Sequence, residues 1–428
     1  MFWATSWVIR GQDKPLIRDF LGLNGHTVQF KPDFYRPVCS LARDYHPVEW
    51  DLASDTATLP QWPLAKNRVD WSQVYGSWTK KGWRISASLM FESVPRSRWK
   101  NLEADAQAYG KSFARAFGPS GKHPCLEAVE IGNEPGDWND ADYTAVLGAM
   151  AKGIREGDPR LKIAPCNLTA GKSGRYEKSV ECIKDLLPMV DVLNIHSYPQ
   201  LEGWPTWRRS FPEDPALPEF LSSIQALCRW RDEHAPGKPV WLTEFGYDSS
   251  TKSPPAAGDF AKWVGVTDLQ QAQWLVRSCL LLSSLPVARA YVYFFDDKDE
   301  PQVHGSAGLT RNFQPKPSFY ALSHLQRVMG DYRFQRTVID QPGRLRVQEY
   351  VHGQDTSQVV WAAWTPTGPG KSIQHTFEEL PGTLQRVERM ALAPTDPAAL
   401  APDQTKPSVA GVTLEIGEAP VYLEFHRP

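Results

Sequence analysis

Residues 126–155 read LEAVEIGNEPGDWNDADYTAVLGAMAKGIR. The stretch opens on an apolar run, Leu126 to Ile131, and breaks at Gly132, Pro135 and Gly136. From Ala141 to Arg155 its apolar residues then recur at helical spacing. Strand, loop and helix in that order make one β/α unit. The same alternation extends on both sides. Short β-rich runs occur at Leu21 to Val28, Leu41 to Tyr45, Arg84 to Phe91, Lys162 to Cys166, Val192 to Ile195, Val240 to Thr243 and Ala290 to Phe295. Helical patterns occupy Leu102 to Phe117, Leu217 to His234, Leu269 to Ser284 and Ser318 to Met329. Eight strands interleaved with helices close most simply as a (β/α)8 barrel, here over residues 19–330.

Beyond Gly330 the texture changes to short alternating runs with Gly, Pro and Asp turns: Arg344 to His352, Gln358 to Trp364, Leu384 to Met390, Val412 to Ile416 and Val421 to Phe425. This pattern predicts a C-terminal antiparallel β-sandwich over residues 331–428, with residues 1–18 as an N-terminal segment that joins it. Ala391 to Pro407 reads as a Pro/Ala-rich loop.

The formal net charge of −2 gives no electrostatic reason to expect nucleic acid as a partner. No stretch approaches the roughly 20 apolar residues of a membrane span. Met1 to Asp19 lacks a basic start followed by an apolar core, so a secreted or periplasmic location would follow only if a leader had been removed. Cys39, Cys125, Cys166, Cys182, Cys228 and Cys279 form no C-x-x-C pair and no zinc-like spacing with His; no metal and no cofactor are expected. Buried thiols and one or two disulfides remain equally open. With 17 Trp and 14 Tyr, the chain has aromatic surface to spare for stacking on flat ligands.

In a barrel of this kind the chemistry sits at the C-terminal ends of the strands, so polar residues directly after each run are the candidates. Two segments dominate: Ala128 to Pro135, which ends in Asn133-Glu134-Pro135, and Pro239 to Tyr247, which contains Thr243-Glu244-Phe245-Gly246. Carboxylates from strands four and seven face each other across the barrel mouth. Like charges that close do not both ionise cheaply, so one group keeps a proton and serves as acid while the other serves as nucleophile.

These two segments resemble the signature of glycoside hydrolase clan A, the retaining barrel glycosidases. Asp191 to Pro199, with His196 and Tyr198, is similar to the clan's strand-six segment, and Gly308 to Leu322 to the region after strand eight. The layout with a trailing β-sandwich is most similar to family 39 and its relatives. The resemblance implies Glu134 as general acid/base, Glu244 as nucleophile and an oligo- or polysaccharide as partner. It further implies that Asn133 binds a sugar 2-hydroxyl, that Tyr198 hydrogen-bonds Glu244 and that His196 lines the same subsite. Arg43 corresponds to an arginine that keeps the nucleophile ionised, although a register shifted by one residue would present Asp44 or His46 instead. At strand eight the pattern departs, because Tyr293 to Asp297 offers phenylalanines and acids where many clan members have a tryptophan.

His26, after the first strand, is a further pocket candidate. Trp138, Trp204 and Trp207 lie in loops after strands four and six, where each reads as a sugar platform or as a residue packing its own loop. Arg208 and Arg209 would suit an acidic sugar, though an exposed basic pair is more often merely solvated. A carbohydrate-binding barrel without turnover, a transglycosylase using the same residues and a phosphate-binding barrel are the alternatives. The last lacks the expected Gly-rich phosphate loop.

Overall fold

The computed structural model describes residues 14–395, 406–408 and 411–428. Eight parallel strands form the barrel: β1 (Leu21–Gly25), β2 (Leu41–Pro47), β3 (Arg84–Met90), β4 (Leu126–Ile131), β5 (Lys162–Pro165), β6 (Leu193–His196), β7 (Val240–Phe245) and β8 (Arg289–Val292). They pair in the order β5-β4-β3-β2-β1-β8-β7-β6. The seam between β5 and β6 is closed by the N–H groups of Asp191 and Val192, which both donate to the Ile163 carbonyl, at 2.7 and 3.2 Å. Helices α1 (Trp71–Thr79), α2 (Leu102–Phe117), α3 (Asp140–Gly157), α4 (Phe220–His234), α5 (Asp268–Ser284) and α6 (Pro317–Met329) surround the barrel, and a 3-10 helix, Val180–Met189, follows β5.

The barrel interior is filled rather than hollow. Leu41, Ala128, Ala164, Val192, Trp241 and Tyr291 plug its lower end. Gly22 makes that plug possible, because a Cβ there would stand 2.3 Å from the Tyr291 ring. Strand alternation does the sorting at the upper end: on β2, Arg43 and Tyr45 reach the carboxyl of Glu244, whereas Asp44 and His46 hydrogen-bond Tyr75 of α1. That settles the register left open by the sequence in favour of Arg43.

The C-terminal part is antiparallel. Strands β9 (Tyr332–Gln341), β10 (Leu345–His352), β11 (Gln358–Trp364), β12 (Ile373–Phe377), β13 (Thr383–Arg389), β14 (Lys406–Ser408), β15 (Gly411–Ile416) and β16 (Val421–His426) form a five-stranded sheet, β9-β10-β11-β16-β13, and a three-stranded one, β12-β15-β14. Period-two alternation divides β11 between two cores. Val359, Trp361 and Ala363 face the sandwich interior, and Val360, Ala362 and Trp364 belong to the barrel core.

Several sequence expectations shift. β1 stops at Gly25 and β8 at Val292, β9 and β12 were not foreseen, and 406–408 forms a strand where a loop was expected. Residues 1–13 and 396–405 lie outside the described residues, and with them most of the expected N-terminal strand. Within the described part, Leu16 bridges Arg333 of β9 in antiparallel fashion. All six cysteines are free thiols. No helix of the described residues is long and apolar enough to cross a membrane.

Barrel and sandwich are joined by a buried ionic contact. Glu213, in the long loop after β6, is paired with Arg277 of α5 and accepts a 2.6 Å bond from Trp364 Nε1, while Arg277 also donates to the Thr367 carbonyl at 2.7 Å. The Arg277 side chain is fully buried. Glu213→Ala leaves that guanidinium uncompensated, at an expected cost of about 3–5 kcal/mol in denaturant unfolding. Combining it with Arg277→Leu should recover much of the loss; a double variant whose loss is the sum of the single losses would refute this account.

Candidate active site

The site is built around one side chain. Arg43 is fully buried, and each of its five N–H donors has an acceptor. Nε donates to Glu130 Oε2 at 2.9 Å. One terminal nitrogen donates to Asn24 Oδ1 and Glu244 Oε1, both at 3.0 Å, and the other to Glu130 Oε1 at 2.6 Å and Asn133 Oδ1 at 2.8 Å. The acceptors come from β1, β4, the turn after β4, and β7. One planar fork thereby sets the relative position of four segments around the barrel mouth.

Glu244, at the end of β7, is almost completely buried. Its Oε1 also accepts from the Tyr45 hydroxyl at 2.6 Å, and its Oε2 from the Tyr198 hydroxyl at 2.7 Å. Burial pushes this carboxyl up, but the charges of His196 and Arg43 and the two tyrosine hydroxyls outweigh burial and hold it down at about 2. Glu244 is therefore an anion at any pH near neutrality.

Across the mouth, Glu134 is more open, with 29% of its side chain exposed. His196 stands between the two acids: its Nδ1 lies 2.9 Å from Glu134 Oε1 and 3.6 Å from Glu244 Oε2. Burial opposes the imidazolium, yet the Glu244 charge and the hydrogen bond to Glu134 prevail and raise the histidine above its usual range. One oxygen each of Glu134 and Glu244 and a nitrogen of His196 all lie within 4.8 Å of one another. Among the described residues, this is the only cluster of acidic, His or Cys side chains compact enough to share a metal ion. Arg43 already supplies positive charge there.

A cleft of about 550 Å³ runs from Glu134 and His196 past Tyr198, Trp207 and Arg209 to His304. His26 lies at the mouth, exposed on one side and stacked on Tyr45 at 5.3 Å. Trp207 lines the cleft, and Trp204 stands 70% exposed on the same loop. Of the two readings of Trp138, sugar platform or loop packing, its surroundings match the second. It is only 7% exposed and packs against Phe91 at 4.8 Å and Trp99 at 6.5 Å, which leaves no open face for a ligand. The paired arginines are committed as well: Arg208 binds Glu202, and buried Arg209 binds Asp248 and the Gly246 carbonyl, both at 2.9 Å. At strand eight, Tyr293 turns its ring toward Tyr45, Tyr198 and His304. The acids that follow are structural, Asp297 pairing with Lys316 at 2.6 Å and Asp296 accepting from Thr310 at 2.7 Å.

Sequence reasoning missed Tyr45, Glu130 and Asn24. The signal for Glu130 was present, since a charge in the middle of an apolar strand requires a buried partner. Tyr45 shares the inward face of β2 with Arg43 and was readable once that register was chosen.

Similar folds place the chain among known structures. A family 39 glycoside hydrolase from the gut symbiont Bacteroides cellulosilyticus WH2 superposes with a TM-score of 0.69 at 18% identity, covering 96% of this chain and 81% of that one. The chain shares the fold of clan A glycoside hydrolases. A glucosidase from Croceicoccus marinus (TM-score 0.63, 14% identity, 98% of each chain) and AbfB, a family 51 α-L-arabinofuranosidase from Bifidobacterium longum (0.58, 13%, 97% and 98%), have the same fold. At such identities the likeness is one of fold. No family model and no curated protein matches the sequence.

The Arg43 network makes a pH-dependent prediction. Glu244 has a folded-state pKa below its ordinary one, so it contributes stability above about pH 4.5, and that contribution is lost as pH falls toward 2. Arg43→Met leaves the His196 charge in place but removes the next cause of this shift, and it strands Glu130 and Glu244 together. Unfolding in urea at pH 7 should show a loss of about 3–5 kcal/mol, shrinking as the pH is lowered through the carboxylate range. A loss independent of pH would contradict this electrostatic role.

Proposed function

We propose that the protein is a retaining β-glycoside hydrolase acting on an oligo- or polysaccharide, with Glu244 as nucleophile and Glu134 as general acid/base. The observation that carries this reading is the pair of carboxyls in the turn after β4 and at the end of β7. Their nearest oxygens lie within 4.8 Å, in keeping with the separation of about 5–5.5 Å that suits a double displacement and leaves no room for a water between the acids. Glu244, ionised and held through both oxygens, attacks the anomeric carbon as the bond to the leaving oxygen breaks. Glu134 gives its proton to that oxygen. In the second half, water attacks the same carbon, Glu134 takes its proton, and the bond to Glu244 breaks. Arg43 orients Asn133, which we assign to the sugar 2-hydroxyl, a contact that strengthens as positive charge develops on the ring. Tyr198 and His196 belong to the same subsite, and His26 to its rim. The carbohydrate activities named for proteins of this fold favour the same class of reaction.

The test is stereochemical. Proton NMR of the first product should find retained anomeric configuration. Glu244→Ala should abolish turnover, and azide should restore it with inverted configuration. Glu134→Ala should slow turnover of poor leaving groups by about 10²–10⁴-fold, and azide should now give a product of retained configuration. Inversion by the wild-type enzyme would refute the assignment.

A cleft of this volume, with Trp204 exposed on the loop that supplies part of its wall, suits a chain of several sugars. Trp204→Ala should therefore raise KM for oligosaccharides by about 2- to 10-fold, the worth of one aromatic stacking contact, while kcat on aryl monoglycosides stays unchanged. Product sizing on polysaccharides provides the parallel check: release of single sugars alone would contradict the extended cleft.

A further inference from the structure

The turn Gly132 to Gly136 carries Asn133 and Glu134 but belongs to neither β4 nor α3, so no ladder or helix holds it. Its main chain is anchored from neighbouring strands. Gly132 N–H donates to the Leu89 carbonyl at 2.9 Å, and Asn167 N–H donates to the Asn133 carbonyl at 3.1 Å. Gly132 itself has φ +86, and a Cβ there would lie 2.7 Å from the Phe91 ring, so the turn also depends on glycine at its start. Two further anchors are side chains, and the first is Ser88 of β3, whose Oγ donates to the Gly132 carbonyl at 3.2 Å. Glu92, in the single 3-10 turn Phe91–Ser93 after β3, accepts from Asn133 N–H at 2.7 Å through Oε1. The Glu134 N–H also favours its carboxylate form.

Glu92 is an expensive residue to keep at this place. Its Oε2 is buried without a hydrogen-bond partner. Burial, reinforced by the Glu130 charge, pushes the carboxyl up to about 7 against the pull of the backbone amides. An apolar side chain would fill the space without that penalty. It would not hold the Asn133 amide.

We propose that Glu92 is a positioning residue for Glu134, its carboxyl holding the main-chain amide of the adjoining Asn133 and so fixing where the acid/base carboxyl stands. The inference rests on the role given to Glu134 above. A displacement of about 1 Å at a reacting group costs on the order of 10²-fold in rate. Both half-reactions need Glu134 at the same point, first to protonate the leaving oxygen and then to deprotonate water. A leaving group that departs without a proton escapes the first requirement.

The experiment compares wild type, Glu92→Gln, Glu92→Asp and Glu134→Ala on 2,4-dinitrophenyl and phenyl β-D-glucosides, xylosides and galactosides. Active sites are counted by burst titration with the matching 2-deoxy-2-fluoro dinitrophenyl glycosides, which removes any misfolded fraction. For Glu92→Gln, kcat/KM should stay near wild type on the dinitrophenyl substrate and fall by about tenfold or more on the phenyl one, a loss of about 1.4 kcal/mol confined to proton-assisted departure. Azide should accelerate its turnover of the dinitrophenyl substrate. Glu92→Asp should change in the same direction and carries the test if the Gln variant does not fold. Equal losses on both leaving groups, or failure of both variants to fold, would reduce Glu92 to a structural residue and overturn the proposal while leaving Glu134 as acid/base. If Glu134→Ala shows no dependence on leaving group, the reading of Glu134 falls and this inference with it.

Discussion

A guanidinium buried without water must find an acceptor for every N–H, and satisfying Arg43 organises the whole upper end of the barrel. Its five donors reach β1, β4, the turn after β4, and β7, so the strands that supply Asn24, Glu130, Asn133 and Glu244 cannot shift independently. The two buried carboxylates it holds outweigh its single positive charge, and His196, raised above its usual range beside them, belongs to the same balance. A lysine could replace the charge but not the geometry, since a point cation with three donors cannot serve five acceptors spread in a plane. The position of the two acids is thus a consequence of packing an arginine, and their unequal environments follow. Glu244 lies inside the network, while Glu134 is bound to it only through His196 and the main chain.

How much of this was readable in the sequence depends on which physical signal each element leaves. Barrel strands announce themselves as apolar runs closed by Gly, Pro or Asn, because both of their faces are buried. Strand β12, Ile-Gln-His-Thr-Phe, leaves almost no such trace, since only Phe377 is fully buried. Strand β9 is charged and half-exposed along its length, and an edge strand of that kind resembles a loop. Strand β8 was drawn too long because its apolar run continues past Val292. There the main chain leaves the ladder, and Tyr293 N–H instead bonds the Phe245 carbonyl while its ring packs against Tyr45, Tyr198 and His304.

Within the site, residues directly after strands were legible and those facing inward from the strands were less so. Glu134, Glu244, Asn133, His196 and Tyr198 follow apolar runs, so the fold brings them together whatever the register. Tyr45 depends on the parity of β2, which no local pattern reveals. Trp138 and Trp207 look alike in sequence, since each lies in a loop rich in Gly, Asp or Pro. Only tertiary packing separates them: Phe91, Trp99 and Arg96 enclose the first, and the cleft borders the second.

Glu213 sits in the same loop as Trp204 and Trp207, and its carboxylate is held by Arg277 and Trp364. The loop is therefore shared property of barrel and sandwich. Thermodynamic linkage makes the relation reciprocal: whatever free energy sheet docking contributes to ordering that loop, a ligand that orders it returns to docking. A change at Glu213 or Arg277 therefore bears at once on the seat of the sheet and on the loop that lines the cleft.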